Sequence, residues 1–459
     1  MLQHHNLEMA KSSYLTAPRK SAFLPKGIPY IVGNEAAERF SYYGMRTILV
    51  IFMTQYLKNA QGELSPMTDA EAKVWYHDFM AWAYFFPILG AILSDAFLGK
   101  YRTIMGLSIV YCLGHLALAL DETRTGLSIG LSLIAIGAGG IKPCVTAHVG
   151  DQFGASNNHL LSKVFGWFYW SINFGAFIST LLTPYLLNQY GPHWAFGIPG
   201  ILMFLATIVF WLGRRQFVHI PAGGKTFFKE TFSPEGLRVM GKLVGLYVFI
   251  IIFWSVYEQN GSAWVLQAKK MDLNWAGVEW LPSQIQAINP ILVLIYIPLF
   301  TYVIYPTINK FFALNPLRKI GIGMFLTVPA VLVIAWIESQ LIAGKNPTIA
   351  WQLLAYVFMT AAEVMIYQTG LELSYTQSPN SMKSIIMSFY LLTISAGNKL
   401  TSYVNQFIQN EDGSTKLEGV SYHLFFAGLI LATTVLYMIY ARFYKEHTYM
   451  QQEATPHKN

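Results

Sequence analysis

Apolar stretches separated by short polar, Gly- and Pro-bearing connections run along nearly the whole chain. They cover about 30–58, 73–98, 102–121, 126–149, 160–188, 193–213, 240–268, 281–311, 317–341, 348–378, 381–409 and 420–446. Each reaches the roughly 20 residues that carry a helix across a hydrocarbon core, so the pattern predicts twelve transmembrane helices. The first stretch departs from it. Residues 34–46, NEAAERFSYYGMR, place Glu35, Glu38, Arg39 and Arg46 at helical spacing along one face. Each charge facing lipid at the bilayer centre would cost about 2.5–3.5 kcal/mol on the insertion scale, which predicts a polar interior that pairs them.

Composition sharpens the class. The chain is 54% hydrophobic, 15% aromatic and 12% charged, too apolar for a water-soluble body of 459 residues. Residues 1–25 are polar, with His4, His5, Lys11, Arg19 and Lys20, and show no cleavable leader. Lys and Arg gather after even-numbered helices: Lys100 and Arg102, Arg214 to Arg238, Lys310 to Lys319, then Arg442 and Lys445. Glu63, Asp69, Glu71, Asp121, Glu122, Glu411 and Asp412 mark the other side, with Lys269 and Lys270 as exceptions. The positive-inside rule then puts both termini in the cytoplasm, and a bacterial inner membrane is the simplest home. The net charge of +7 is a topology signal, and no clustered basic surface suggests nucleic acid. Cys112 and Cys144 fall within helices and imply no disulfide framework.

The longest connection, 214–239, divides the helices six and six. The expected organisation is an N-terminal segment 1–29, a six-helix bundle 30–213, a linker 214–239, a second bundle 240–446 and a tail 447–459. Two six-helix bundles around a midplane cavity are the plan of the major facilitator superfamily fold, an all-α membrane protein. The remaining intramembrane charges test that plan: Lys142 on the fourth helix, Glu258 on the seventh and Glu363 on the tenth. Helices 1, 4, 7 and 10 hold equivalent places in such repeats, so the charges converge on a cavity. Structural ion pairs gluing helices together are the plain alternative, though small residues and hydroxyls do that at lower cost.

The residues also match a family. Glu35 to Gly44, EAAERFSYYG, resembles the ExxERFxYYG motif of the proton-dependent oligopeptide transporters. Residues 90–114 and Phe168 to Gly175, FYWSINFG, resemble two further signatures of that family. Segments 139–153, 258–271 and 370–384 look nearer to its animal-type members than to many bacterial ones. The resemblance implies a symporter importing di- and tripeptides with protons by alternating access, as a monomer in the bilayer, without a cofactor. A carrier of nitrate or an organic anion on the same fold is the alternative. It further implies proton coupling by Glu35, Glu38, Arg39, His77 and Glu258, with Arg46 paired to Glu258 and Lys142 paired to Glu363. For peptide binding it implies Tyr43, Arg46, Tyr84, Lys142, Tyr169, Asn173, Trp264, Asn289, Glu363 and Tyr390. Arg46 and Lys142 would take the carboxylate; Asn173, Asn289 and Glu363 would take the amino terminus. Tyr169, Trp254 and Trp264, candidate pocket walls, read more readily as plain packing, and Tyr390 stands where the family often has Trp. His77, beside Asp78, also fits an interfacial position. Asp95 and Arg102 suit a cytoplasmic gate, while Lys399 and Glu372 have no assigned role. No HExxH, GxSxG or CxxC pattern supports a membrane enzyme.

Overall fold

The computed structural model describes residues 14–154, 156–377, 383–410 and 415–444. His4, His5, Lys11, Glu411, Asp412, Lys445, part of the 370–384 motif and the tail from 447 lie outside the described residues. The first bundle comprises α1 (Ile28–Gln55), α2 (Asp69–Ile92), α3 (Lys100–Leu120), α4 (Arg124–Asp151), α5 (Leu161–Tyr190) and α6 (Pro192–Leu212). The second comprises α7 (Pro234–Tyr257), α8 (Ile288–Leu299), α9 (Pro316–Ile342), α10 (Ala350–Glu363), α11 (Lys383–Ile408) and α12 (Val420–Phe443). A short helix, Lys225–Thr231, lies in the connection between bundles. β1 (Asn274–Trp275) and β2 (Val278–Glu279) pair antiparallel as a small hairpin between α7 and α8. Nine described segments are long and apolar enough to cross a membrane. α1, α5 and α11 fall outside that set. α1 holds four charges, and α11 buries Ser388, Thr393, Asn398, Thr401, Ser402 and Asn405.

Local chemistry fixes the helix starts. Thr68, Thr123, Ser233 and Asn315 each accept a backbone N–H of the first turn. Ser233 with Pro234 at the first helical position starts α7 six residues before the hydropathy boundary at 240. Four helices carry irregular turns that hydropathy does not register. α2 continues as a π-helical turn, Leu93–Leu98, and α10 as another, Val364–Gln368, before a last helical piece Thr369–Thr376. A 3₁₀ stretch Pro282–Ala287 leads into α8, and α7 breaks at Glu258–Gly261 before resuming as Ala263–Ala268. The break in α7 frees carbonyls, two of which accept the Gln259 and Asn260 side-chain amides.

The first bundle packs α3 on α4 and α6, and α1 on α5 and α6; the second packs α9 on α10 and α12, and α7 on α11. Gly175 lets α5 lie directly on α1, since a Cβ there would come 2.6 Å from the Ala36 carbonyl. α2 against α11 and α5 against α8 make the two seams between the bundles. The start of the linker belongs to the first bundle: His219 N–H donates to Leu15 O, and Gly223 N–H donates to Asp95 O (both 2.7 Å). Asp95 therefore touches the linker, and its neighbourhood includes the Lys100–Asp151 ion pair (2.9 Å). On the face opposite the termini, Lys58, Arg124 and Lys269 pair with Glu122, Glu71 and Asp69.

Candidate functional site

All four charges of α1 are buried and paired, as the spacing requires. Arg39 Nε lies 2.7 Å from Glu35 Oε1 and 2.8 Å from Glu38 Oε2. Two carboxylates on one guanidinium leave this triplet one negative charge in excess unless a proton or another cation balances it. Glu38 makes only the ionic contact, with no oriented hydrogen bond to either oxygen. The next cation is Lys142, which interacts electrostatically with Glu38 and Glu258.

Two turns along α1, Arg46 crosses to the other bundle. Its Nη2 lies 2.5 Å from Glu258 Oε2, and its Nε donates to the Tyr76 hydroxyl at 2.7 Å. Glu258 opens the irregular turn of α7, so the helix break presents the carboxylate to α1. Tyr76 fits because position 261 is glycine: a Cβ there would meet the Tyr76 hydroxyl at 1.9 Å. Sequence reasoning missed both residues. Tyr76, Met80 and Tyr84 share one helical face of α2, which was the available signal.

Lys142 departs from expectation. Its Nζ sits 4.0 Å from the Tyr42 ring centre and 4.1 Å from that of Tyr84. No hydrogen-bond acceptor holds it, and it forms no ion pair with Glu363 among the described residues. The two aromatic faces replace the carboxylate as its partner. Glu363 instead accepts from Asn289 Nδ2 at 2.7 Å, with Thr360 Oγ1 3.2 Å from the same amide and Tyr257 alongside. Asn173 faces its own helix, donating to Tyr169 O at 3.0 Å, and is not joined to Asn289 or Glu363. Tyr43 is half-buried and edge-on to Tyr42, and Tyr169 is 37% exposed.

Trp264 and Tyr390 are buried in the core of the second bundle. Trp264 is 1% exposed and packs edge-on against Tyr356. The fully buried Tyr390 donates its hydroxyl to the Ile366 and Tyr367 carbonyls, both at 3.3 Å, in the π-helical turn of α10. Both close the core of the second bundle because their partners, not their apolarity, decide where they face. His77 is buried where the two bundles meet. Its ring bridges Asn398 Oδ1 (2.8 Å) and Ser262 Oγ (2.9 Å), across the α2–α11 seam. Lys399 finds a partner here, 2.7 Å from Asp78 Oδ1, and Ser395 donates to Ala81 O at 2.7 Å. On the other seam Gln284 Nε2 donates to Leu181 O at 2.9 Å. The hydrogen bonds and ion pairs described between the bundles lie at mid-depth or toward the face opposite the termini.

Two bundles of membrane helices, with a charged pair across their interface and seams joined on one face, follow the major facilitator plan. A sequence model described as "PTR2: POT family" matches residues 101–234 and 229–422, and the chain belongs to the POT family. It is 35% identical to "Peptide transporter family 1" of Drosophila melanogaster over 69% of this chain and 48% of that protein. It is 37% identical to "Solute carrier family 15 member 2" of Mus musculus over 72% of this chain and 51% of that protein. The chain thus spans about half the length of these curated relatives. Among solved structures it is similar to an auto-inhibited POT family peptide transporter, with TM-score 0.84 and 34% identity, covering 94% of this chain and 99% of that one. The POT family transporter PepTSo gives TM-score 0.82 at 34% identity, covering 92% and 99%.

Proposed function

We propose that the chain is a proton-coupled symporter that imports di- and tripeptides by alternating access, working as a monomer. The observation that carries this reading is the Arg46–Glu258 pair across the bundles, beside a lysine without an acid partner. A dipeptide offers a carboxylate and an ammonium group several ångström apart. Lys142 and Arg46 suit the first, and Glu363 with Asn289 suits the second. A peptide carboxylate reaching Arg46 competes with Glu258, and a proton on Glu258 weakens the same pair. Either event loosens the joined face. Glu35, Glu38 and Arg39 then hold the transported proton, because the triplet is one charge short of balance. His77 supports this cycle by joining the seam between bundles, and Tyr43, Tyr84 and Tyr169 flank the ligand. Trp264 and Tyr390 enter the site only if the second bundle repacks. The names of the relatives, which are peptide transporters, support the substrate class. The basic connections support cytoplasmic termini, in a membrane we read as a bacterial inner one.

Uptake of radiolabelled dialanine into proteoliposomes tests this directly. An inward proton gradient is expected to drive accumulation above equilibrium. Gradient-driven nitrate uptake without dialanine uptake would instead establish an anion carrier.

A further inference from the structure

The α5–α8 seam contains a cavity of about 190 Å³ that the transport reading does not use. Phe177 and Leu181 of α5 form one wall; Ile288 and Ile291 of α8 and Leu353 of α10 form the other. The cavity therefore lies between the bundles, toward the face opposite the termini. Trp275 and Trp280 of the β-hairpin border it. The hairpin turns through Ala276 and Gly277, both with positive φ (55° and 77°), and the Trp280 indole donates to Trp275 O. This tight turn holds two tryptophans at the level where indoles favour the membrane–water interface.

The lining decides what can enter. Gln284 is its polar side chain, and both ends are already engaged: Oε1 accepts Leu281 N–H and Nε2 donates to Leu181 O. The lining has no charged side chain to hold a zwitterion or an anion, so a peptide gains nothing here. The surroundings are membrane. Tyr185 on α5, Leu294 and Ile295 on α8, and Leu354 on α10 are exposed apolar neighbours. A half-open apolar cavity facing hydrocarbon takes hydrocarbon.

We propose that this cavity is a binding site for a phospholipid acyl chain from the leaflet opposite the termini. The chain packs between α5 and α8 and supplements the hydrogen bond from Gln284 to Leu181 that joins them. Ile288 precedes Asn289, so the occupant also braces the turn of α8 that presents Asn289 to Glu363. The proposal does not depend on which solute the protein carries.

The test uses the whole protein in liposomes doped with a phosphatidylethanolamine bearing a diazirine midway along one acyl chain. After irradiation, peptides containing Phe177–Leu181 and Gln284–Ile291 are expected to carry several times the label of the lipid-facing α6 control, Phe204–Trp211. Ala350, at the start of α10, also lines the cavity; Ala350→Phe fills it, and label at those peptides is expected to fall about tenfold while α6 is unchanged. Leu353→Trp repeats the experiment from a second position, and unchanged α6 labelling reports that either variant is folded in the bilayer. In detergent, added dioleoyl phosphatidylethanolamine is expected to raise the Tm of the wild type and not that of Ala350→Phe. Labelling no higher than α6, or a signal and a Tm rise that both persist in the two filled variants, would overturn the assignment.

Discussion

Two buried ion clusters sit two turns apart on α1, and they are built differently. Glu35, Glu38 and Arg39 close on one another within a single helix, with two acids for one cation. Arg46 has one acid, Glu258, and that acid belongs to the opposite bundle. The first cluster can change its charge without separating any helices. The second cannot break without loosening the contact between the bundles. One helix thus carries a group suited to storing a proton and a group suited to reporting it as motion.

The largest effect is expected from removing the stored charge. Glu38→Gln balances the triplet permanently, so gradient-driven uptake of dialanine is expected to vanish while peptide-for-peptide exchange survives. Counterflow and uphill uptake measured on the same proteoliposomes separate the two. If uphill accumulation persists in both Glu35→Gln and Glu38→Gln, the storage role is wrong.

The cross-bundle pair comes next. Arg46→Glu alone leaves uncompensated buried charge and is expected to cost about 3–5 kcal/mol, read as a lower Tm or failure to fold. Arg46→Glu with Glu258→Arg is expected to restore folding and still transport poorly, because the cation is displaced from the ligand. Wild-type uptake by the swapped protein would leave the pair a purely structural role. Lys142→Ala tests the same comparison from the ligand side. Dialanine affinity is expected to fall roughly ten- to a hundred-fold, the worth of a charge-assisted contact, with a smaller loss for C-amidated dialanine. Equal losses for both ligands would contradict the carboxylate role.

Two smaller effects mark the limits of the charged site. His77→Leu strands Asn398 and Ser262 in the seam and is expected to cost about 1–3 kcal/mol, seen as a drop in Tm. Outside the membrane, burial holds the His219 pKa below its ordinary value, with Arg102 acting in the same direction. The folded state therefore favours neutral His219, and its stabilisation is present above about pH 6.5 and lost as pH falls further. Exchange protection of the His219 amide, which donates to Leu15 O, is expected to fall with it. His219→Gln is expected to leave the acid activation of dialanine uptake intact, which assigns that activation to the α1 triplet.

Much of this was legible in the sequence because it follows from hydrocarbon length and charge cost. Most helices lie within a few residues of the apolar runs, α8 and α10 only when their irregular turns are counted with them, and the burial of Glu35, Glu38, Arg39 and Arg46 follows from their spacing. Arg46 meeting Glu258 came from resemblance, since no local pattern joins residues 212 positions apart. The breaks in α7 and α10 were invisible because hydropathy does not record which carbonyl each N–H reaches. The same blindness hid the partners of His77 and Lys399; Trp264 read as a pocket wall from its aromatic ring alone, and Tyr390 from the resemblance. The partner of Lys142, expected as Glu363, differs for another reason: tyrosine rings are cation acceptors that charge counting omits.

The central claim is that the Arg46–Glu258 pair holds the bundles together on the face opposite the termini until a proton or a peptide releases it. Spin labels on Gln61 and Lys270, measured by double electron–electron resonance in liposomes, test this most directly. The account predicts one short distance at neutral pH without peptide and a growing longer population at acid pH with dialanine. It predicts that Glu258→Gln shows the longer population already at neutral pH. A distance distribution unchanged by pH, by dialanine and by Glu258→Gln would contradict it.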